Sequence, residues 1–428
     1  MSVQWQVPAR ALNNMPLTQR NIDLAFVVRK FKSGVLARCM LVHVESERPS
    51  ISVSVYEANY AKSSDRYKGT INTVLHHVAY LFTWAEKNLT DLEARLLGGY
   101  GLNLIDIKRF SGWLEKNIQS NAEGVQIPSY PRKIMSSCKD FVIWFVWSFA
   151  PITAKELGAN YDIHELIKAH KLCWIRNMSG SDSDPIAPDI TDTQLGTADS
   201  YLKTRMVGSD DEVSCGIRNY LIYRLVKAFG LRIGEALALR LSDISLSGSN
   251  PSIEIKRIDE RGAAYEDPRS PYHPKVKTRS RLLYFDPRDK DLLSLLEVYI
   301  SVHRVQKKIV GERKVLSIFL AHDFLFIEHG VGNAARPLSC SAATRIASSI
   351  SQAVGFKFHW HLLRHSTFNR LYEAASKIKN NSTEIDHLVY MGGWSSPESL
   401  RLYARRAIRE NALRKLSEIN RVGVLNEY

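Results

Sequence analysis

The apolar positions change their period along the chain, and those changes divide it. Near the N-terminus they fall in short β-rich stretches, Leu24 to Val28, Leu36 to Val44 and Ile51 to Tyr56, separated by polar breaks. A small sheet is predicted there. Further on the spacing lengthens to three and four. Val74, Val78, Leu81 and Phe82 make one such series, and Leu104, Ile107, Phe110 and Leu114 another. This predicts packed amphipathic helices. The most apolar run, Phe141 to Ala150, is far shorter than the ~20 residues of a membrane span and reads as a core helix. Ser, Asp, Gly and Pro then gather between Arg176 and Gly196, as in a connecting segment.

Beyond that segment, Thr191 and Gln194 have the spacing of a capping box that opens a helix through Tyr201. Ile217 to Phe229 reads as a helix stopped by Gly230, and Arg232 to Leu241 as the next. Three strand-like runs follow, Ser252 to Ile258, Tyr272 to Lys277 and Arg281 to Phe285, the last two joined by a tight polar turn. From Asp289 onward the pattern is mostly helical. The predicted fold is mainly α (α+β). It has an extension at 1–68, a helical domain at 69–178, a linker at 179–196 and, at 197–428, a mostly helical domain with a small antiparallel sheet.

Composition adds a partner. The 428 residues exceed one ordinary core of about 150. The 58 Lys and Arg against 44 Asp and Glu leave a formal charge of +14, which suits a polyanion, nucleic acid before membrane. Cys39, Cys138, Cys173, Cys215 and Cys340 lie far apart without a C-x-x-C pair. Neither a zinc site nor a disulfide framework is expected, and a reducing cytoplasm fits. The sequence carries no glycine-rich nucleotide loop of either common type, so no nucleotide-driven step and no cofactor are expected.

Four short segments carry candidate chemistry. In His361-Leu362-Leu363-Arg364-His365 the helical spacing puts His361, Arg364 and His365 on one side. Such a set can meet a phosphate, through the planar guanidinium and a group that titrates near neutrality, or can be a solvated basic face. In Met391-Gly392-Gly393-Trp394-Ser395-Ser396-Pro397 the glycines end one helix and Ser-Ser-Pro starts another, which carries Tyr403. Tyr403 alone reads as core packing or as a reactive hydroxyl, and Tyr390 and Tyr372 read as core. In Gly230-Leu231-Arg232-Ile233-Gly234-Glu235, Glu235 either orients Arg232 toward a ligand or simply pairs with it. Lys277 lies where a strand enters its turn.

Taken in order, Arg232, Lys277, the His361-x-x-Arg364 pair, Trp394 and Tyr403 resemble the tyrosine recombinase (phage integrase) family. The phrases LVKAFGLRIGEALALRLSDI, HLLRHS and MGGWSSPESLRLY carry the likeness, over roughly residues 188–428. Trp394 stands where many members have His. The resemblance implies a site-specific DNA recombinase working on double-stranded DNA as a homotetramer, with accessory DNA-bending proteins left open. It also implies a covalent 3′-phosphotyrosine at Tyr403 and a Holliday junction. Arg232 and Arg364 would hold the phosphate, Lys277 would act as acid, His361 would assist proton transfer, and Trp394 would donate its indole N–H. Glu235 and His365 would support them, without metal. Type IB topoisomerases, telomere resolvases and non-catalytic DNA-binding proteins on the same fold remain alternatives. The amphipathic stretch Ala404 to Asn420 can dock on a neighbouring protomer or on its own domain.

Overall fold

The computed structural model describes residues 23–33, 36–63, 67–88, 91–118, 129–156, 162–178, 189–262, 265–269, 273–276, 278–310, 314–318, 320–329, 335–378 and 382–425. The chain forms two compact units, one up to Asp184 and one from Pro185.

The first unit begins with an antiparallel hairpin of β1 (Phe26–Ser33) and β2 (Leu36–His43), in register Phe26 with His43 and Val28 with Leu41. The third β-rich stretch is not a strand. Residues Ile51–Ser63 form helix α1. Its alternating sequence is overridden because Val53, Tyr56 and Glu57 meet the core at helical spacing, and because Glu93 accepts the Ser52 N–H at 2.8 Å. A carboxylate at a helix start neutralises its orphan donors, and this one comes from far along the chain. Helices α2 (Tyr67–Asn88), α3 (Leu92–Leu97), α4 (Leu104–Asn117), α5 (Ser129–Glu156) and α6 (Ile163–Arg176) complete the unit. Val78, Leu81, Ile107, Phe110 and Leu114 are wholly buried, whereas Leu104, at the first position of α4, is exposed. The apolar run at 141–150 lies inside α5 and is buried except at Trp147, which is 50% exposed, and at its partly buried neighbours. Among the described residues no helix is long and apolar enough to cross a membrane.

In the second unit the capping box is in place. Thr191 N–H donates to Gln194 Oε1 at 3.0 Å and Gln194 N–H to Thr191 Oγ1 at 3.2 Å, opening α7 (Asp192–Thr204). Helix α8 (Asp210–Phe229) starts earlier than its apolar pattern, because the Ser209 N–H and hydroxyl both donate to Glu212. It ends at Gly230, whose φ of 60° only glycine adopts freely. Next comes the short α9 (Ile233–Ala238), with Arg232 as its N-cap.

The sheet has order β3 (Ile244–Ser245), β4 (Ser252–Ile255), β5 (Arg281–Tyr284). The predicted strand Tyr272 to Lys277 is replaced in the sheet by β3. Residues 273–276 form no strand, since Pro274 has no N–H to give and the Lys275 backbone packs closely on Gly234 of α9. Tyr272 and Lys277 lie outside the described residues.

Helix α10 (Lys290–Val298) follows, then a hairpin of β6 (Gln306–Val310) and β7 (Lys314–Ile318) that interrupts the predicted helical region. The helices α11 (Cys340–Val354), α12 (Trp360–Ser376), α13 (Ser382–Gly392), α14 (Pro397–Tyr403) and α15 (Arg405–Leu425) end the unit. Its main core holds Leu221, Tyr223, Val226, Phe326 and Leu363. A smaller one joins Phe368, Leu388, Trp394, Leu400, Tyr403 and Ala404, so the candidate Trp and Tyr sit in packed surroundings.

Candidate active site

Helix α12 begins where the His359 side chain accepts the Leu362 N–H at 3.0 Å, and one turn later it turns Arg364 into the interior. Arg364 is 0% exposed. Its Nη1 donates to the Gly230 carbonyl and its Nη2 to the Gly392 carbonyl at 2.9 Å, tying the end of α8 to the end of α13. The guanidinium carbon lies 4.9 Å from the Phe368 and Trp394 rings and 5.0 Å from the Tyr403 ring. Burial, and then repulsion from Arg232, pull its pKa down to about 10, which leaves it charged at neutral pH.

Arg232 reaches the same point from the N-cap of α9. Its Nη2 donates to the Tyr403 hydroxyl at 3.4 Å, and its Nη1 lies 3.5 Å from Glu235 Oε1. Glu235 is 1% exposed and serves more than Arg232. It accepts the Arg232 backbone N–H at 2.9 Å, Arg281 Nη2 at 2.9 Å and the Thr278 hydroxyl, and lies 3.8 Å from Arg364 Nη1. Burial alone would raise its pKa. Arg281 and Arg364 outweigh burial and hold it below the usual range.

The double glycine builds the opposite wall. Gly393 has φ 65°, and a Cβ there would lie 2.6 Å from Arg281 Nη1 and 2.8 Å from Thr278 Cβ. The tight turn lets Arg281 Nε reach the Met391 carbonyl at 2.7 Å and brings Trp394 to 4.5 Å from Phe368 and 4.9 Å from Tyr403. Tyr403, the last residue of α14, is buried and stacks on His365 at 4.3 Å, while His361 meets His365 edge-on at 4.6 Å. His361 is exposed as a residue, but its inner face lies against His365 and Tyr403. That partial burial, with the positive fields of His365 and Arg364, draws its pKa down to about 4. Burial likewise lowers that of His365.

Three buried donors in this cluster make no hydrogen bond among the described residues: Arg232 Nη1, which has only the ion-pair approach of Glu235, Arg364 Nε and the Trp394 indole N–H. Buried donors are nearly always satisfied. Here three guanidiniums, Arg232, Arg281 and Arg364, also face one carboxylate, Glu235. The arrangement suits an anion with several acceptor oxygens.

Residues 203–410 match the phage integrase family. The match marks this unit as a tyrosine-type site-specific recombinase. Transposase A from transposon Tn554 of Staphylococcus aureus is 26% identical over 331 residues, spanning 73% of this chain and 77% of the transposase. The structure of the XerH site-specific recombinase bound to palindromic difH substrate has a TM-score of 0.52 at 17% identity, covering 86% of this chain and 84% of that one. At such identity the likeness shows the fold.

The integrase-family domain thus brings together Arg232, Glu235, His361, Arg364, His365, Trp394 and Tyr403, all predicted from sequence. Lys277 lies outside the described residues, although its neighbour Thr278 is bonded to Glu235. Arg281 was missed. Its signal was period two: β5 buries positions 281 and 283 and exposes 282 and 284, so an arginine sits in inward phase and needs an acid. Tyr390, expected in the core, is 54% exposed, because its hydroxyl reaches out to accept the Leu282 N–H at 3.0 Å.

Proposed function

We propose that this integrase-family chain breaks and rejoins strands of double-stranded DNA through a covalent 3′-phosphotyrosine on Tyr403, and exchanges strands by way of a Holliday junction within a homotetramer. The observation that carries this reading is the set of unsatisfied buried donors around the Tyr403 hydroxyl. The oxygen of Tyr403 attacks phosphorus and gives up its proton, with neutral His361 placed to assist. The bond to the 5′-oxygen breaks as Lys277 supplies that oxygen's proton. Phosphate energy is kept in the tyrosyl ester, so rejoining needs no nucleotide. Arg232, Arg364 and the indole of Trp394 bind the non-bridging oxygens, where charge builds in the transition state. Glu235 and His365 hold these groups in position. The net charge of +14 favours association with the duplex.

The likeness to a Tn554 transposase supports an action on mobile DNA. For the tetramer, support comes from α15. Ala404 and Ala407 are buried against the chain's own fold, but Ala412, Leu413 and Leu416 are exposed, an apolar face that a neighbouring protomer would cover.

Arg232→Lys and Arg364→Lys test the phosphate assignment, since each keeps the charge and loses the two-pronged geometry. Cleavage of a nicked duplex should slow by roughly 10²- to 10³-fold with little change in duplex binding. Rates within a few-fold of the parent would remove both guanidiniums from the scissile phosphate.

A further inference from the structure

A second basic pocket opens on the Pro185–Tyr428 unit, on elements other than those that carry Tyr403. It lies between α7, α8 and α11, with a volume of about 470 Å³, inside the ~300–1,000 Å³ range of small-molecule sites. It is lined by Arg218, only 7% exposed. Its Nη1 donates to the Ile327 carbonyl at 2.9 Å, and its Nε and Nη2 donate to Asn219 Oδ1 at 3.1 and 2.9 Å. These acceptors are neutral. Among the described residues no carboxylate pairs with it, which is unusual because a buried charge is costly unless an opposite charge meets it.

The lining deepens the imbalance. Arg205, Arg345 and His329 face the same space, and among the described lining residues Glu328 is the one acidic side chain, already taking the Ser339 hydroxyl at 3.4 Å. Leu338, Ile346 and Ile350 add apolar lining. Guanidiniums present paired donors at the spacing of phosphate oxygens. A polyanion would neutralise the buried Arg218 while the exposed Arg205 and Arg345 add their charges to it.

We propose that this pocket is a second anion site, which takes a phosphate ester or pyrophosphate group, and that it is distinct from the site around Tyr403. A free phosphorylated compound and a DNA backbone both carry such a phosphate, and the same chemistry serves either. Cys215 lines the pocket and reports on it locally, whereas Cys173 sits in the other unit.

The test follows alkylation of individual cysteines in the full-length protein by iodoacetamide, read by peptide mass spectrometry, with inorganic pyrophosphate as probe and ionic strength held constant. At about ten times its Kd, pyrophosphate should slow Cys215 modification by roughly tenfold and leave Cys173 unchanged. The double variant Arg205→Gln, Arg345→Gln changes only exposed residues outside the site around Tyr403 and should lose the protection. An unchanged Cys215 rate in the parent, or protection that survives both substitutions, would overturn the proposal. A second arm uses a short duplex. Protection by the duplex that is lost in the double variant assigns the phosphate to DNA, and protection by pyrophosphate but not by the duplex assigns it to a free compound. Neither result depends on Tyr403 chemistry.

Discussion

Replacing Arg281 by Met removes a guanidinium from the interior while nearly preserving volume. Five hydrogen bonds go with it, two to Glu235 at 2.9 and 3.5 Å and one each to the Met391 carbonyl at 2.7 Å, the Thr278 hydroxyl at 3.1 Å and the Arg279 carbonyl at 3.3 Å. Removing one partner of a buried pair costs about 3–5 kcal/mol, mostly because the other charge stays buried. Glu235 would retain Arg232 at 3.5 Å, Arg364 at 3.8 Å and Thr278, so the low end applies. A loss of about 3 kcal/mol is about a 10²-fold shift in the local unfolding equilibrium. The chain has two units, so a single melting curve would blend them. Amide hydrogen exchange of α12 and β5 reads the second unit alone. A companion variant supplies the sharper test. Glu235→Gln on Arg281→Met no longer strands the Arg281 guanidinium, so it should cost about 2 kcal/mol less there than in the parent, a coupling of about 2 kcal/mol. Additive losses, or an Arg281→Met variant within ~0.5 kcal/mol of the parent, would refute the view that this pair anchors the site.

Gly393→Ala should be destabilised by more than the ~1–2 kcal/mol of a left-handed residue, because its Cβ also meets Arg281 and Thr278; strand cleavage should fall with it, and parent-like amide exchange in α12 and β5 would count against the turn. Because the pKa of His361 lies well below the ordinary ~6.5, the unfolded chain binds more protons in between, so stability contributed by this site should fall as pH drops from about 6.5 toward 4. Single-turnover cleavage should show no His361 step between about pH 6 and 8, and a midpoint near 6.5 that vanishes in His361→Gln would contradict this. Deleting residues 412–428 should spare folding and weaken tetramer assembly, measured by sedimentation on DNA. An intact tetramer after that deletion would assign the exposed face of α15 another role.

Much of the site was legible because its residues sit at local signals. Arg232 follows a helix-stopping glycine, His361 and Arg364 share a helical face, and Trp394 follows a double glycine whose turn no other residue fits. Arg281 escaped because nothing nearby in sequence pairs with it: its acid, Glu235, is on α9 and its carbonyl partner is Met391. Helix α1 escaped for the same reason, since Ser52 is capped by Glu93. The sheet was half legible. The runs at 252–258 and 281–285 contain β4 and β5, but the two-residue β3 is too short to show a period, and the segment at 273–276 is claimed by packing on Gly234. Local rules recover elements, and tertiary partners decide between them.

The central claim is that Tyr403 becomes joined to DNA. A nicked duplex that traps the cleaved state, followed by digestion and mass spectrometry, reads the attachment point directly. The account predicts a nucleotide adduct on the peptide bearing Tyr403, absent in Tyr403→Phe although that variant still binds the duplex. Tyr372→Phe is the matched control and should give the parent adduct, because Tyr390 is tied to β5 by its hydroxyl. An adduct on any other residue, or one that persists in Tyr403→Phe, would contradict it.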